Sequence, residues 1–400
     1  MDNKKLPLQG ITVVEFTHMV MGPTVGLILA DLGAEVVKVE PLDGDKTRRL
    51  EGSGAGYFPM YNRNKKSICV DLKSERGKQL ALRLIEQSDV VIENFRPGAM
   101  EALGFGYEHL VDANPRLIYC SLKGFLPGPY GHRTALDEVA QMMGGLAYMT
   151  GLPGKPMRAG SSVIDIAGGM FGVIAILSAL ERRHTTGKGD KVTSSLFETT
   201  VFMMGQHMAQ QAVSGEASPP MSLRQSAWSI YDIFLSKEGE RVFVGVVSDT
   251  LWIQFCKEFG LLEFSEDPKL QTNSNRIDES ERILPVIRDL FSDMSKDELM
   301  DRLDRAGIPF APINRPEDLF DDPHLNNGDG LVPVTLCDGK KAGTQTKLPA
   351  LPIELGQEKF KLRYDLPREG EHGIEVMRMV GYSEEEIDQL LSDGLVSVLP

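Results

Sequence analysis

Ile11-Thr12-Val13-Val14-Glu15-Phe16 and Glu35-Val36-Val37-Lys38-Val39-Glu40 flank one helical stretch, Thr24 to Leu32, which Gly33 stops. Short β-branched runs read as strands, and a glycine after the last periodic residue reads as a helix end. The alternation continues along the chain. Ser74 to Gln87 has helical spacing, with Leu80, Ala81, Leu84 and Ile85 on one face. Asp89 to Glu93 and Leu117 to Leu122 are two further strands. Strand–helix–strand repetition predicts an α/β fold with a parallel, doubly wound sheet.

Beyond this region the pattern lengthens. Asp165 to Arg183 is one long helix, glycine-rich at its start (Gly168, Gly169, Gly172) and basic at its end (Arg182, Arg183, His184), as a helix C-terminus favours. Lys191 to Leu196 is a strand and Phe197 to Ala212 a Met-rich helix. Ser214 to Pro220 breaks the pattern and reads as a linker. A smaller α+β region follows, with a strand at Arg241 to Val247 and a capping box at Ser295 and Glu298. A second capping box, Ser383 with Glu386, lies near the end.

Composition narrows the function classes. The chain has 400 residues, more than one core usually supports, so two domains or one with an insertion are expected. Net charge is −14, a poor footing for nucleic acid. No run of eighteen apolar residues suggests a membrane span, and Met1 to Lys5 lack a signal-peptide core. The four cysteines (Cys69, Cys120, Cys256, Cys337) form no CxxC pair, which suggests a reducing, cytoplasmic setting and no structural zinc.

Several segments carry possible chemistry. The first strand–helix unit ends its second strand on Glu40, but it has no G-x-G-x-x-G and Gly22-Pro23 reads as a single turn, so a nicotinamide cofactor is not expected. Asn62-Arg63-Asn64-Lys65-Lys66-Ser67 is the densest basic cluster; it is either a phosphate loop or a solvated turn. Asn94, Phe95 and Arg96 follow a strand, where ligands bind in open α/β sheets. Asp165 reads first as a helix N-cap. Its glycine surroundings also permit close approach of a ligand or a backbone, and an accessible carboxylate can attack a thioester. No histidine stands in a metal-binding spacing, and there is no G-x-S-x-G elbow or Walker loop.

Taken together, these stretches resemble the family III CoA-transferases. The group includes the formyl-CoA:oxalate, carnitine and succinyl-CoA:dicarboxylate CoA-transferases. The matching segments are Phe16-Thr17-His18 with Gly22-Pro23, Leu32 to Glu40, Asn62 to Ile68, Val91 to Gly98 with Leu103-Gly104, Ser121 to Phe125, and Arg158 through Asp165 to Gly169. The resemblance implies a Rossmann-like large domain formed by both termini, with residues 1–213 its first part. It also implies a linker over 214–224, an inserted small α+β domain over 225–325, and a return over 326–400. It implies an interlocked homodimer of ring-shaped chains.

The resemblance further implies an acyl-CoA:carboxylate CoA-transferase. Asp165 would be the nucleophile, passing through a mixed anhydride and an aspartyl-CoA thioester. Coenzyme A and its thioesters would be substrates, with no tightly bound cofactor or metal. A donor such as succinyl-CoA and a small dicarboxylate acceptor fit, with Arg158 near enough to hold a distal carboxylate. The CoA site would comprise His18, Met19, Val20, Met21, Val70, Lys73, Asn94, Phe95, Arg96 and Lys123. Two positions depart from the pattern: Pro41 and Ala102 stand where basic residues are usual, and Arg96, Lys65 or Arg48 are the candidate replacements. Gln225 and Ser226 stand where the formyl-CoA branch has a glycine-rich loop, which implies a substrate other than oxalate.

Two alternatives use the same fold. A 2-methylacyl-CoA racemase would place a histidine directly before Asp137, where Leu136 stands; His132 is four residues too early. A non-catalytic CoA-binding protein would have no need of Asp165.

Overall fold

In the computed structural model, residues 6–223, 226–356 and 358–398 are described; Met1 to Lys5 and Gln225 lie outside them. Two compact units emerge. One is Met1–Ser222 with Pro323–Pro400, and the other is Leu223–Asp322.

The larger unit is built on a seven-stranded sheet. Its strands are β1 (Thr12–Phe16), β2 (Glu35–Glu40), β3 (Lys65–Val70), β4 (Val90–Glu93), β5 (Ile118–Lys123) and β6 (Asp190–Ser195), with Val396–Ser397 at one edge. The order is Val396–Ser397, β3, β2, β1, β4, β5, β6. All neighbours are parallel except the terminal strand, which runs antiparallel to β3 (Val396 opposite Val70). Parallel strands covered on both faces read as continuous apolar runs, which is why the sequence shows them so plainly. Successive side chains divide between two cores. Val13, Val36, Val90 and Ile92 pack on one face, and Val14, Val37, Val39 and Val91 on the other.

The strand order reverses between β1 and β4, whose ends are in register (Phe16 opposite Glu93). The loops after these two strands therefore open side by side, the place where open α/β sheets bind ligands.

Local boundaries shift from expectation at two helices. The first runs Met21–Asp31, so Gly22-Pro23 lie inside its first turn rather than forming a separate one. Proline is tolerated there because that N–H has no helical partner. The long helix spans Val163–Thr186, with Ser162 at its N-cap position. Its glycines make room for neighbouring elements, backbone at Gly169 and side chains at Gly172. A Cβ on Gly169 would come 2.9 Å from the Met21 carbonyl oxygen, and one on Gly172 would come 3.1 Å from Val25. By length and composition this helix could also cross a membrane (mean hydropathy 2.1). Here Ile164, Val173, Ile176 and Leu180 lie in the core.

The basic cluster is neither a phosphate loop nor a solvated turn. Asn62 to Lys65 and Ser67 are all buried. Lys65 Nζ donates to Glu15 (2.9 Å), Pro23 O (3.0 Å) and Asn62 (3.1 Å); Arg63 pairs with Asp31 at 2.7 Å. Arg48 is equally committed. It grips Glu40 through two hydrogen bonds of 2.7 and 2.8 Å, reaches Asp338 at 3.1 Å, and stacks on Phe58. Neither Lys65 nor Arg48 is free to replace the basic residues absent at Pro41 and Ala102, since each already neutralises a buried carboxylate.

The smaller unit holds an antiparallel sheet of Ile230–Leu235, Arg241–Val246 and Phe310–Pro312. Helices cover it around a core of Trp252, Phe255, Phe259 and Phe291.

Candidate active site

A cleft of about 580 Å³ lies at the switch point of the larger unit. Two loops build one wall. Asn94, just after β4, accepts from the His18 N–H (3.1 Å) and donates to its carbonyl (2.8 Å), tying the loop after β1 to its neighbour. This sets the His18 ring 5.8 Å from Phe95. Burial lowers the His18 proton affinity, which favours the neutral imidazole.

The opposite wall carries the carboxylates. Asp165 is the third residue of the long helix, not its N-cap, and lines the cleft. The capping role falls to a residue 28 positions away. Asp137 accepts from the N–H groups of Ile164 (2.9 Å) and Asp165 (3.1 Å). These are donors that a helix start leaves unsatisfied. Asp137 is buried and held in turn. It accepts from Gln141 at 2.6 Å and from Arg158 at 3.2 Å, while Gln141 accepts from the Ala159 N–H.

This arrangement leaves the Asp165 carboxylate without capping work and short of positive charge. Burial first, and repulsion by Asp137 second, raise its pKa to about 7; Arg158 opposes them. Tyr61 feels the same carboxylate. Burial and then Asp165 push its phenol up to about 12. Tyr57 also lines the cleft, its hydroxyl 3.5 Å from Ser162.

His18, Met19, Met21, Asn94, Phe95, Arg96 and Lys123 line this cleft together with Asp165. Three others do not. Val20 is fully buried, Val70 packs inside the core, and Lys73 is exposed away from the cleft. Val70 lies on β3, two strands from the switch point, so its side chain cannot reach the opening. Lys123 is partly neutralised, donating to Glu93 (2.8 Å) and Phe95 O (2.7 Å). Sequence reading used Asp137 only to test for a histidine before it and gave it no role in the site, and it did not single out Gln141, Arg133 or Tyr57. A first-turn acid such as Asp137 looks locally like an ordinary helix start; nothing near it reveals its distant partner.

Fold and cleft are those of an α/β protein with a ligand site at the switch point of its parallel sheet. The chain belongs to CoA-transferase family III, whose model matches residues 8–373. An acyl-CoA transferase of Fusarium pseudograminearum is 35% identical, the match covering 97% of this chain and 88% of the relative. The succinate–glutarate CoA-transferase of Agrobacterium fabrum is 32% identical, covering 94% and 96%. A crystal structure of a CAIB/BAIF family protein from Brucella suis superposes with a TM-score of 0.82 at 32% identity, covering 94% of this chain and all of that one.

Proposed function

We propose that this enzyme moves coenzyme A from a donor such as succinyl-CoA to a small dicarboxylate, with Asp165 as the covalent nucleophile. The observation that carries this reading is the freedom of Asp165. It opens into the cleft, its capping role is taken by Asp137, and its basicity is raised. A carboxylate with a proton affinity near neutrality is a better nucleophile than an ordinary aspartate.

The steps balance without an external proton. An Asp165 oxygen attacks the donor thioester carbon; the C–S bond breaks and CoA thiolate leaves, giving a mixed anhydride. The thiolate attacks the Asp165 Cγ and expels the donor carboxylate, giving the aspartyl-CoA thioester. The acceptor carboxylate attacks that carbon and releases thiolate. The thiolate then attacks the acceptor acyl carbon, forming the new thioester and restoring Asp165. Covalent capture divides one difficult transfer into easier ones.

His18, Met19, Met21, Asn94, Phe95 and Arg96 form the wall that would receive CoA. The Phe95 and His18 rings, tilted by 41°, offer aromatic faces, and among the described residues the Arg96 side chain has no carboxylate partner. A racemase is less favoured, because Leu136 occupies the position of a second base and His132 does not line the cleft.

Self-association into an interlocked homodimer is part of the proposal. Met170, Ile174 and Leu177 form an exposed stripe at helical spacing on the long helix, and Phe202 and Met208 are exposed on the next one. The four cysteines are free, which suits the cytosol.

The test is mass spectrometry of the enzyme quenched with succinyl-CoA. A CoA adduct on the peptide containing Asp165, absent in Asp165→Ala, is the expected result. Transfer activity surviving in Asp165→Ala would overturn the mechanism.

A further inference from the structure

The dicarboxylate reading leaves a question about the end of the substrate that does not react. Its distal carboxylate needs a cation in the cleft. Among the described residues four cationic side chains line it: Arg96, Lys123, Arg133 and Arg158. Arg158, the sequence candidate, is already committed. It pairs with Asp137 (3.2 Å) and Glu138 (3.9 Å) and donates to the carbonyls of Ala159 and Ser161. Lys123 is bound to Glu93. Arg96 belongs to the wall with Phe95 and His18.

Arg133 is different. It is exposed, and among the described residues its guanidinium meets no carboxylate. What fixes it is aromatic. It lies 5.2 Å from the Tyr130 ring centroid and 5.8 Å from that of Phe125. Those rings pack on each other and on Phe197 at 5.5 to 6.3 Å. A guanidinium held on aromatic faces keeps its hydrogen-bonding edge open for a planar carboxylate fork. Its position also suits an acceptor. Arg133 precedes by four residues Asp137, whose carboxylate holds the backbone of the nucleophile. Arg133 and Asp165 line the same cleft, so the two ends of one short chain can lie between them.

We infer that Arg133 recognises the distal carboxylate of a dicarboxylate substrate and sets the preference for dicarboxylates over monocarboxylates. The inference rests on the CoA-transferase reading above, and the experiment separates the two. Full-length enzyme and the variants Arg133→Met and Arg133→Lys are assayed with acetyl-CoA, which carries no distal carboxylate, as donor, and the wild type also with succinyl-CoA. Acceptors are succinate and glutarate against butyrate and pentanoate, and free CoA binding is measured by calorimetry.

In Arg133→Met the KM for dicarboxylates is expected to rise roughly 10- to 100-fold, as loss of a charge-assisted pair implies. Monocarboxylate KM and CoA affinity stay unchanged. Arg133→Lys recovers part of the loss, since it keeps the charge and loses the fork. Equal losses for both acceptor classes, or weakened CoA binding, would overturn the inference; the latter would make Arg133 a phosphate contact. Wild-type transfer to monocarboxylates alone would also overturn it while leaving the transferase reading intact. No transfer to any carboxylate would remove that reading, and this inference with it.

Discussion

Two groups of carboxylates in the larger unit invite comparison. Around β1, β2 and β3, Glu15, Glu40, Asp31 and Asp45 are buried, and every one meets a cation: Lys65 and Lys38, Arg48, Arg63, and Lys38 again. Burial would raise the Glu40 pKa, but Arg48 outweighs it and holds the group below its usual range. In the cleft, Asp137 and Asp165 lie together with Arg158 as their nearby cation. The balance tips the other way, to about 7 for Asp165. The first group is saturated and structural. The second is left deficient in positive charge, and that deficiency is what a carboxylate nucleophile needs.

The comparison breaks most visibly at Asp165. Asp165→Asn is expected to lower kcat by about three orders of magnitude or more while free CoA still binds, because the covalent route is lost. Stability should move the opposite way. The folded-state pKa of Asp165 lies above its unfolded value, so its ionisation opposes folding fully above about pH 7 and not at all below the usual aspartate range. The melting temperature of Asp165→Asn should therefore exceed wild type at pH 8 and approach it near pH 4.

Arg48→Met comes next. It strands Glu40 in the interior, and loss of one partner of a buried pair costs about 3–5 kcal/mol, read as a lower urea midpoint at pH 7. Glu40 has a depressed folded pKa. Its contribution is present above the ordinary glutamate value and is lost as pH falls through the folded one. The penalty should shrink in acid, opposite in sign to the trend at Asp165.

Asp137→Asn tests whether the two groups differ by design of the cleft. Removing the second cause of the raised pKa should move the acid limb of the kcat/KM profile below its wild-type position near pH 7, though not to the ordinary value, because burial remains. A purely structural role would lower stability without shifting the limb. The smallest effect belongs to Lys73→Ala. Lys73 is exposed and outside the cleft, so KM for acyl-CoA should change less than about twofold; a large increase would place CoA beyond this wall.

Much of this molecule was legible before any coordinates. Strands β1, β2, β4, β5 and β6 were readable from their β-branched runs, whereas the first half of β3, Lys65 to Ser67, read as a basic loop because the carboxylates that pair its lysines lie elsewhere in the sequence. Asn94 to Arg96 and His18 could be placed at a ligand crevice because they directly follow strands. Asp165 could be nominated from its segment alone. Charged residues were harder. Lys65, Arg48 and Arg158 looked available for ligands, yet each is neutralised by a carboxylate distant in sequence or turned back on its own loop.

What the sequence determined by itself is the alternation of elements, the loops after the strands, and the residue types at the cleft. Those depend on local periodicity, which is written in neighbouring residues. What only the tertiary structure decided is which charges remain free. Asp137 caps a helix 28 residues away, Gly169 and Gly172 admit another helix rather than a ligand, and Arg133 is left as an open cation. A side chain's charge becomes chemistry or scaffold according to its partners in space, and those partners are assigned by packing across the sheet, not by sequence distance.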